Sequence, residues 1–208
     1  MSQRMARALL DEAGTTYAEQ AAIRLADKPA PLYRLLVLSV LLSTRIKSEI
    51  AVSAARELAD FGTPQKMRDA TWQQRVDALG RGHYVRYDES TATALGQGAE
   101  MLINDFHGDV RRFRAQDDPE QTRRNLQMVP KLGPVGADIF CREAQMVWPE
   151  LRPYFDKKAL SGAEKLGLPK DSQALAGYVE GAETARLAAA LVRVTLEKGL
   201  VDRIMQPA

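Results

Sequence analysis

The chain has 208 residues, 45% hydrophobic and 27% charged, with a formal net charge of +2. That is ordinary globular composition, which excludes a disordered chain and leaves room for one compact domain or two small lobes. The single cysteine, Cys141, excludes an intrachain disulfide and any four-thiolate metal or iron–sulfur site made by one chain. The longest apolar run, residues 35–42, is broken by Ser39 and is too short to span a bilayer. The polar N-terminus lacks the apolar centre of a signal peptide, so the expectation is a cytoplasmic protein with no membrane partner.

In chain order nearly every segment reads as helix, and no run alternates as a half-buried strand does. Residues 2–13 and 17–27 are rich in Ala, Leu, Arg and Glu and stop at Gly14 and at the "KPAP" break. Residues 32–43 are apolar nearly all round and are expected as the central buried helix. Residues 48–61 are amphipathic, with Ile50, Ala54, Leu58 and Phe61 at helical spacing. Thr63-Pro64 and Thr71 are capping signals for the next two helices, the second running to Leu79. The turn "GRGHYVRYDES" leads into a long helix over 88–104, and Asp118 with Pro119 opens another. Beyond "VPKLGPVGADIF" a helix is expected over 137–147, then "WPELRPYF" as an irregular linker. Helices over 156–166, 172–179 and 182–198 close the chain. Cys141 falls on a helix and is expected as a buried structural thiol.

The interruption "VPKLGPVGADIF" carries the first functional signal. A tight hairpin between two helices exposes backbone amides at the start of the second, and the helix dipole adds to their pull on an anion such as a DNA phosphate. Gly133 and Gly136 permit close backbone approach, and Pro134 stiffens the loop. A plain corner between packed helices uses the same residues, so spacing alone leaves both readings open.

"VPKLGPVGAD" resembles the helix-hairpin-helix signature Leu-Pro-Gly-Val-Gly-x-x-x-Ala of the endonuclease III-like DNA glycosylase superfamily. Val129 and Pro130 take the Leu-Pro places, Gly133 the second glycine and Ala137 the alanine. "LLVLSVLLSTRIKSE", "GTPQKMRDATWQQRVDALGRGHYVRYDESTATAL" and "VWPELRPYFDKKALSGAEKLGLP" are similar to further family stretches, in the family's order. The resemblance covers roughly residues 30–169. It implies an all-α, two-lobed fold with a DNA-binding cleft between the lobes. Residues 30–138 would form a mid-chain helical barrel lobe, and residues 1–29 with 139–208 the second.

What the resemblance implies for chemistry follows residue by residue. The catalytic aspartate falls on Asp156, where a carboxylate would stabilise the sugar cation formed as an N-glycosidic bond breaks; the same residue also reads as a helix cap. The lysine with which bifunctional members form a Schiff base is replaced by Val135, which cannot act as a nucleophile. The expectation is therefore a monofunctional base-excision glycosylase that binds damaged duplex DNA. One alternative is a DNA binder of the same fold without catalysis. Another is a glycosylase with lyase activity from a displaced lysine, Lys131, Lys157 or Lys158. Expected DNA contacts are Lys131, Leu132, Gly133, Val135, Gly136 and Arg45, the last placed to fill the gap left by a flipped base. His83, Tyr84, Tyr87 and Asp138 are candidates around the base. The basic runs 111–114 and 123–124 read as a solvated face partly offset by Asp117, Asp118 and Glu120, or as a phosphate-tracking rim. No metal site is expected and no iron–sulfur cluster, while the hairpin leaves room for a monovalent cation. The implied partner is double-stranded DNA, met as a monomer at the nucleoid.

Overall fold

The computed structural model describes residues 2–116 and 118–205; Asp117 lies outside the described residues. Among those residues the chain is all helix and connecting turns, with no strand. The α-helices are α1 (Ser2–Ala13), α2 (Tyr17–Gln20), α3 (Pro29–Leu42), α4 (Ser48–Glu57), α5 (Pro64–Asp69), α6 (Trp72–Arg81) and α7 (Asp88–Phe106). They continue as α8 (Pro119–Leu126), α9 (Pro134–Ala144), α10 (Lys157–Lys165), α11 (Ser172–Ala176), α12 (Glu183–Leu196) and α13 (Leu200–Met205). Short 3-10 turns occupy Ala59–Phe61, Val110–Phe113 and Pro149–Leu151. No helix among the described residues is long and apolar enough to cross a membrane.

The starts are set by local chemistry. The Thr63 hydroxyl accepts the Lys66 amide, the Thr71 and Gln74 side chains form a reciprocal capping box, and the Asp118 carboxylate accepts the Gln121 amide ahead of Pro119. Each supplies an acceptor to an amide that the first turn leaves without one. Helix α3 opens on Pro29 and buries Leu32, Tyr33 and the whole run from Leu35 to Leu41.

The expected helix over 17–27 ends at Gln20 instead. Ala22 turns to φ +54, and the carbonyls of Gln20, Ala21 and Ala22 are taken by Arg56 and Arg34. Long-range guanidinium donors here outcompete the helical ladder, a choice that local propensity cannot register. The helix expected from 137 begins three residues earlier, at Pro134, with proline at the first position where its missing amide costs nothing.

The chain divides into two compact units. One is Met1–Tyr17 with Cys141–Ala208, the other Ala18–Phe140. The sequence reading drew the division at 29/30 and 138/139; contacts draw it at 17/18 and 140/141. In the first unit α10 packs along α12 and α1 lies on α12. Their apolar faces meet through Leu9, Leu10, Ala159, Ala163, Leu187 and Leu191. In the second, α3 packs on α4, and both α5 and α6 on α7. Arg75 is buried there and donates to the carbonyls of Met67, Ala70 and Ala92, so one guanidinium fastens α6 to the end of α5 and to α7. Burial lowers the Arg75 pKa, and the nearby Tyr33 phenol opposes that shift.

Candidate functional site

The hairpin between α8 and α9 is a surface feature with a buried hinge. Lys131, Gly133, Pro134 and Val135 are exposed, while Leu132 is buried. Gly136 has no room for a side chain: a Cβ there would lie 2.6 Å from Leu132 Cδ1 and 3.3 Å from Ser43 Cβ. Leu132 thus packs inside the turn, over Gly136. This corrects its expected role as a DNA contact, because its side chain is inside and its amide donates to Val129 O at 2.9 Å. A Cβ on Gly133 would meet nothing within 4 Å. The Gly133 carbonyl accepts the Ala137 amide at 3.0 Å. Among the described residues no hydrogen bond claims the amides of Gly133, Val135 and Gly136. Helix geometry leaves such first-turn amides unpaired and facing outward along the axis, an arrangement suited to an anion.

Lys131 adopts φ +63, the left-handed conformation that a glycine would take without strain. Its ammonium turns back onto the first turn of α7, donating to Ser90 Oγ at 2.6 Å and Thr91 Oγ1 at 3.2 Å. Burial lowers its pKa. The Thr91 hydroxyl lies 3.5 Å from the Tyr84 hydroxyl, which in turn lies 2.9 Å from Thr44 Oγ1. A chain of hydroxyls therefore runs from the hairpin to the end of α3, where Arg45 follows, exposed and without an ion pair among the described residues.

The base-pocket candidates do not gather as one surface. Tyr84 is fully buried and spends its hydroxyl on Thr44, so it offers no face for stacking; its expected contact with a base is corrected to a structural one. His83, at φ +63, is exposed in the same turn. Tyr87 is half-buried beneath the Arg86 guanidinium, 5.2 Å from its ring centre. Asp138 pairs with Arg123 at 2.5 Å, tying α9 to α8. The basic runs are likewise partnered: Arg111 with Asp109, Arg114 with Asp27, and Arg124 with Asp118. Phe113, inside the first run, is fully buried.

Asp156 precedes α10 and caps it, its Oδ1 accepting the Ala159 amide at 2.8 Å. Its Oδ2 is held by Arg142 Nη1 in an ion pair whose side chains are only 3% (Arg142) and 6% (Asp156) exposed. Among the described residues Arg142 Nε is buried without an acceptor. The loop that delivers Asp156 is fastened to the end of α9. Gln145 accepts the Tyr154 amide at 2.9 Å and donates to the Tyr154 carbonyl at 2.8 Å. Arg152 donates to the carbonyls of Gln145 and Met146, each at 2.6 Å. Trp148, at the start of this loop, is fully buried. Lys157 and Lys158 follow on the exposed start of α10.

Sequence reasoning missed Arg142, Gln145 and Arg152, the residues that hold Asp156. The signal was the string "CREAQ" at the end of α9, where Arg142, Glu143 and Gln145 all prove buried. It missed Ser90 and Thr91 as well, which look like any helix start.

No family model matches the chain, and no curated protein matches it. Among solved structures it is similar to a non-covalent endonuclease III–DNA complex, with a TM-score of 0.55 at 15% identity over 92% of this chain and 80% of that one. It also matches a trapped endonuclease III–DNA covalent intermediate, the estranged-adenine complex, with a TM-score of 0.49 at 15% identity over 92% and 85%. The chain has the endonuclease III fold.

Proposed function

We propose that this chain of endonuclease III fold is a base-excision DNA glycosylase. It binds damaged duplex DNA as a monomer at the nucleoid and hydrolyses the N-glycosidic bond of a flipped base. The observation that carries the reading is the exposed turn at Gly133 and Val135, whose amides no hydrogen bond claims among the described residues at the head of α9. Unpaired amides at a helix start take a phosphate oxygen without side-chain charge. The fold comparison supports it, since the structure matched at a TM-score of 0.55 is a DNA complex.

In this reading the hairpin grips the backbone beside the lesion and Arg45 enters the gap in the stack. Asp156 meets the sugar of the everted nucleotide. As the base departs, the sugar gains oxocarbenium character; the carboxylate stabilises that charge and orients the water that attacks, leaving an abasic site. Val135 supplies no amine and the Lys131 amine is engaged with hydroxyls, which favours hydrolysis over strand cleavage. A second reading, recognition of distorted DNA without excision, is favoured by the Arg142–Asp156 ion pair, which compensates the carboxylate.

A panel of single-lesion duplexes, incubated with wild type and Asp156→Asn and then treated with alkali, separates the two. Alkali-dependent breaks from wild type and none from the variant support excision. Salt-sensitive binding with no breaks on any lesion establishes the second reading. Nicking without alkali, trapped by borohydride, overturns the hydrolytic route.

A further inference from the structure

The carboxylate proposed for catalysis is not open to a substrate. Both Asp156 oxygens are committed, Oδ1 to the Ala159 amide and Oδ2 to Arg142, and the side chain is 6% exposed. A carboxylate stabilises a nearby cation to the extent that its own charge is uncompensated in a water-poor site. With a guanidinium on it, that capacity is largely spent. The pair is also imperfectly matched, since one contact joins Nη1 to Oδ2 while Arg142 Nε has no acceptor. A buried N–H left unpaired is a standing cost of this arrangement, and any state that gives Nε an acceptor recovers it. The surrounding loop does not depend on Arg142 alone, because Gln145 and Arg152 hold it independently.

We propose that Arg142 masks Asp156: the free protein holds its excision carboxylate in a buried ion pair that must open before the sugar can be met. This rests on the reading of Asp156 as the excision carboxylate. It makes Arg142 a brake on the step that Asp156 performs, and it gives excision a precondition beyond binding.

The test is single-turnover excision across the lesion panel by wild type, Arg142→Gln, Arg142→Lys, and Arg142→Gln combined with Asp156→Asn. Expected is a rate at least tenfold above wild type in Arg142→Gln at unchanged DNA affinity, a smaller gain in Arg142→Lys, and no activity in the double variant. Removing the guanidinium leaves a buried charge uncompensated, which endangers folding. Thermal unfolding followed by helical circular dichroism therefore accompanies each assay. Should Arg142→Gln fail to fold, Arg142→Lys decides, since it keeps a cation but lacks the forked donor. An active wild type with equal or slower Arg142 variants overturns the mask and leaves the glycosylase reading standing. A silent wild type with an active variant supports the mask and removes excision from the resting chain. Silence in both overturns both.

Discussion

Gly162 lies against the backbone of Leu191: a Cβ on Gly162 would stand 1.9 Å from the Leu191 carbonyl oxygen and 2.7 Å from its carbon. Here α10 and α12 meet backbone to backbone, and the obstructing atoms are main chain, which no rotamer change can clear. Gly162→Ala is expected to destabilise the protein by about 3 kcal/mol. Urea unfolding would read this as a lower midpoint, and an unchanged midpoint would refute the close approach.

Gly98 makes the opposite case. It sits within α7 facing the hairpin, where a Cβ would meet Val129 Cγ1 at 3.4 Å and Pro130 Cδ at 3.6 Å, ordinary contact distances. The space is an apolar crevice between α3, α7 and the hairpin, lined by Tyr33, Val37, Leu95 and Leu102 among others. Gly98→Ala removes backbone freedom from the unfolded chain and adds a methyl where there is room. A gain of about 0.5–1 kcal/mol is expected in the same unfolding assay.

Lys131 separates backbone strain from side-chain contact. Both Lys131→Ala and Lys131→Gly lose the hydrogen bonds to Ser90 and Thr91, but only alanine retains the penalty of φ +63. Lys131→Gly is expected to be more stable than Lys131→Ala by about 1 kcal/mol. Equal stabilities would mean that the hairpin relaxes out of the left-handed conformation.

The same lysine predicts a pH effect of defined sign. Burial lowers its folded pKa below the ordinary 10.5. Between the lowered value and 10.5 the unfolded chain binds more protons, so stability contributed by this site rises with pH across that window and is level above it. Comparing wild type with Lys131→Met by denaturant unfolding at several alkaline pH values should show the difference between them shift in favour of wild type as pH rises. A shift in the other direction would contradict a partly desolvated ammonium.

How far the sequence could be read depended on whether an interaction was local. The starts of α5, α6 and α8 were legible because Thr63, Thr71 and Asp118 act within three residues of themselves. The all-helical fold was legible from periodicity and from the hairpin motif, whose resemblance to endonuclease III the fold comparison supports. The end of α2 was not, since it is decided by Arg34 and Arg56 reaching back to its carbonyls. At the site, the hairpin's exposed glycine and Asp156's capping role followed from turn and cap chemistry. The state of that carboxylate did not. Arg142 is fourteen residues away, and a charged letter in a helix does not say whether it faces water or the interior.

The first unit is assembled from segments on either side of the second, and this sets an order on synthesis. When α1 leaves the ribosome its apolar side, Ala6, Leu9, Leu10 and Ala13, has no cover, because α10 and α12 have yet to be translated. Residues 18–140 can collapse meanwhile as a unit of their own. A nascent chain stalled before α12 would therefore carry a folded second unit and an uncovered, sticky α1, the form on which a holdase would act.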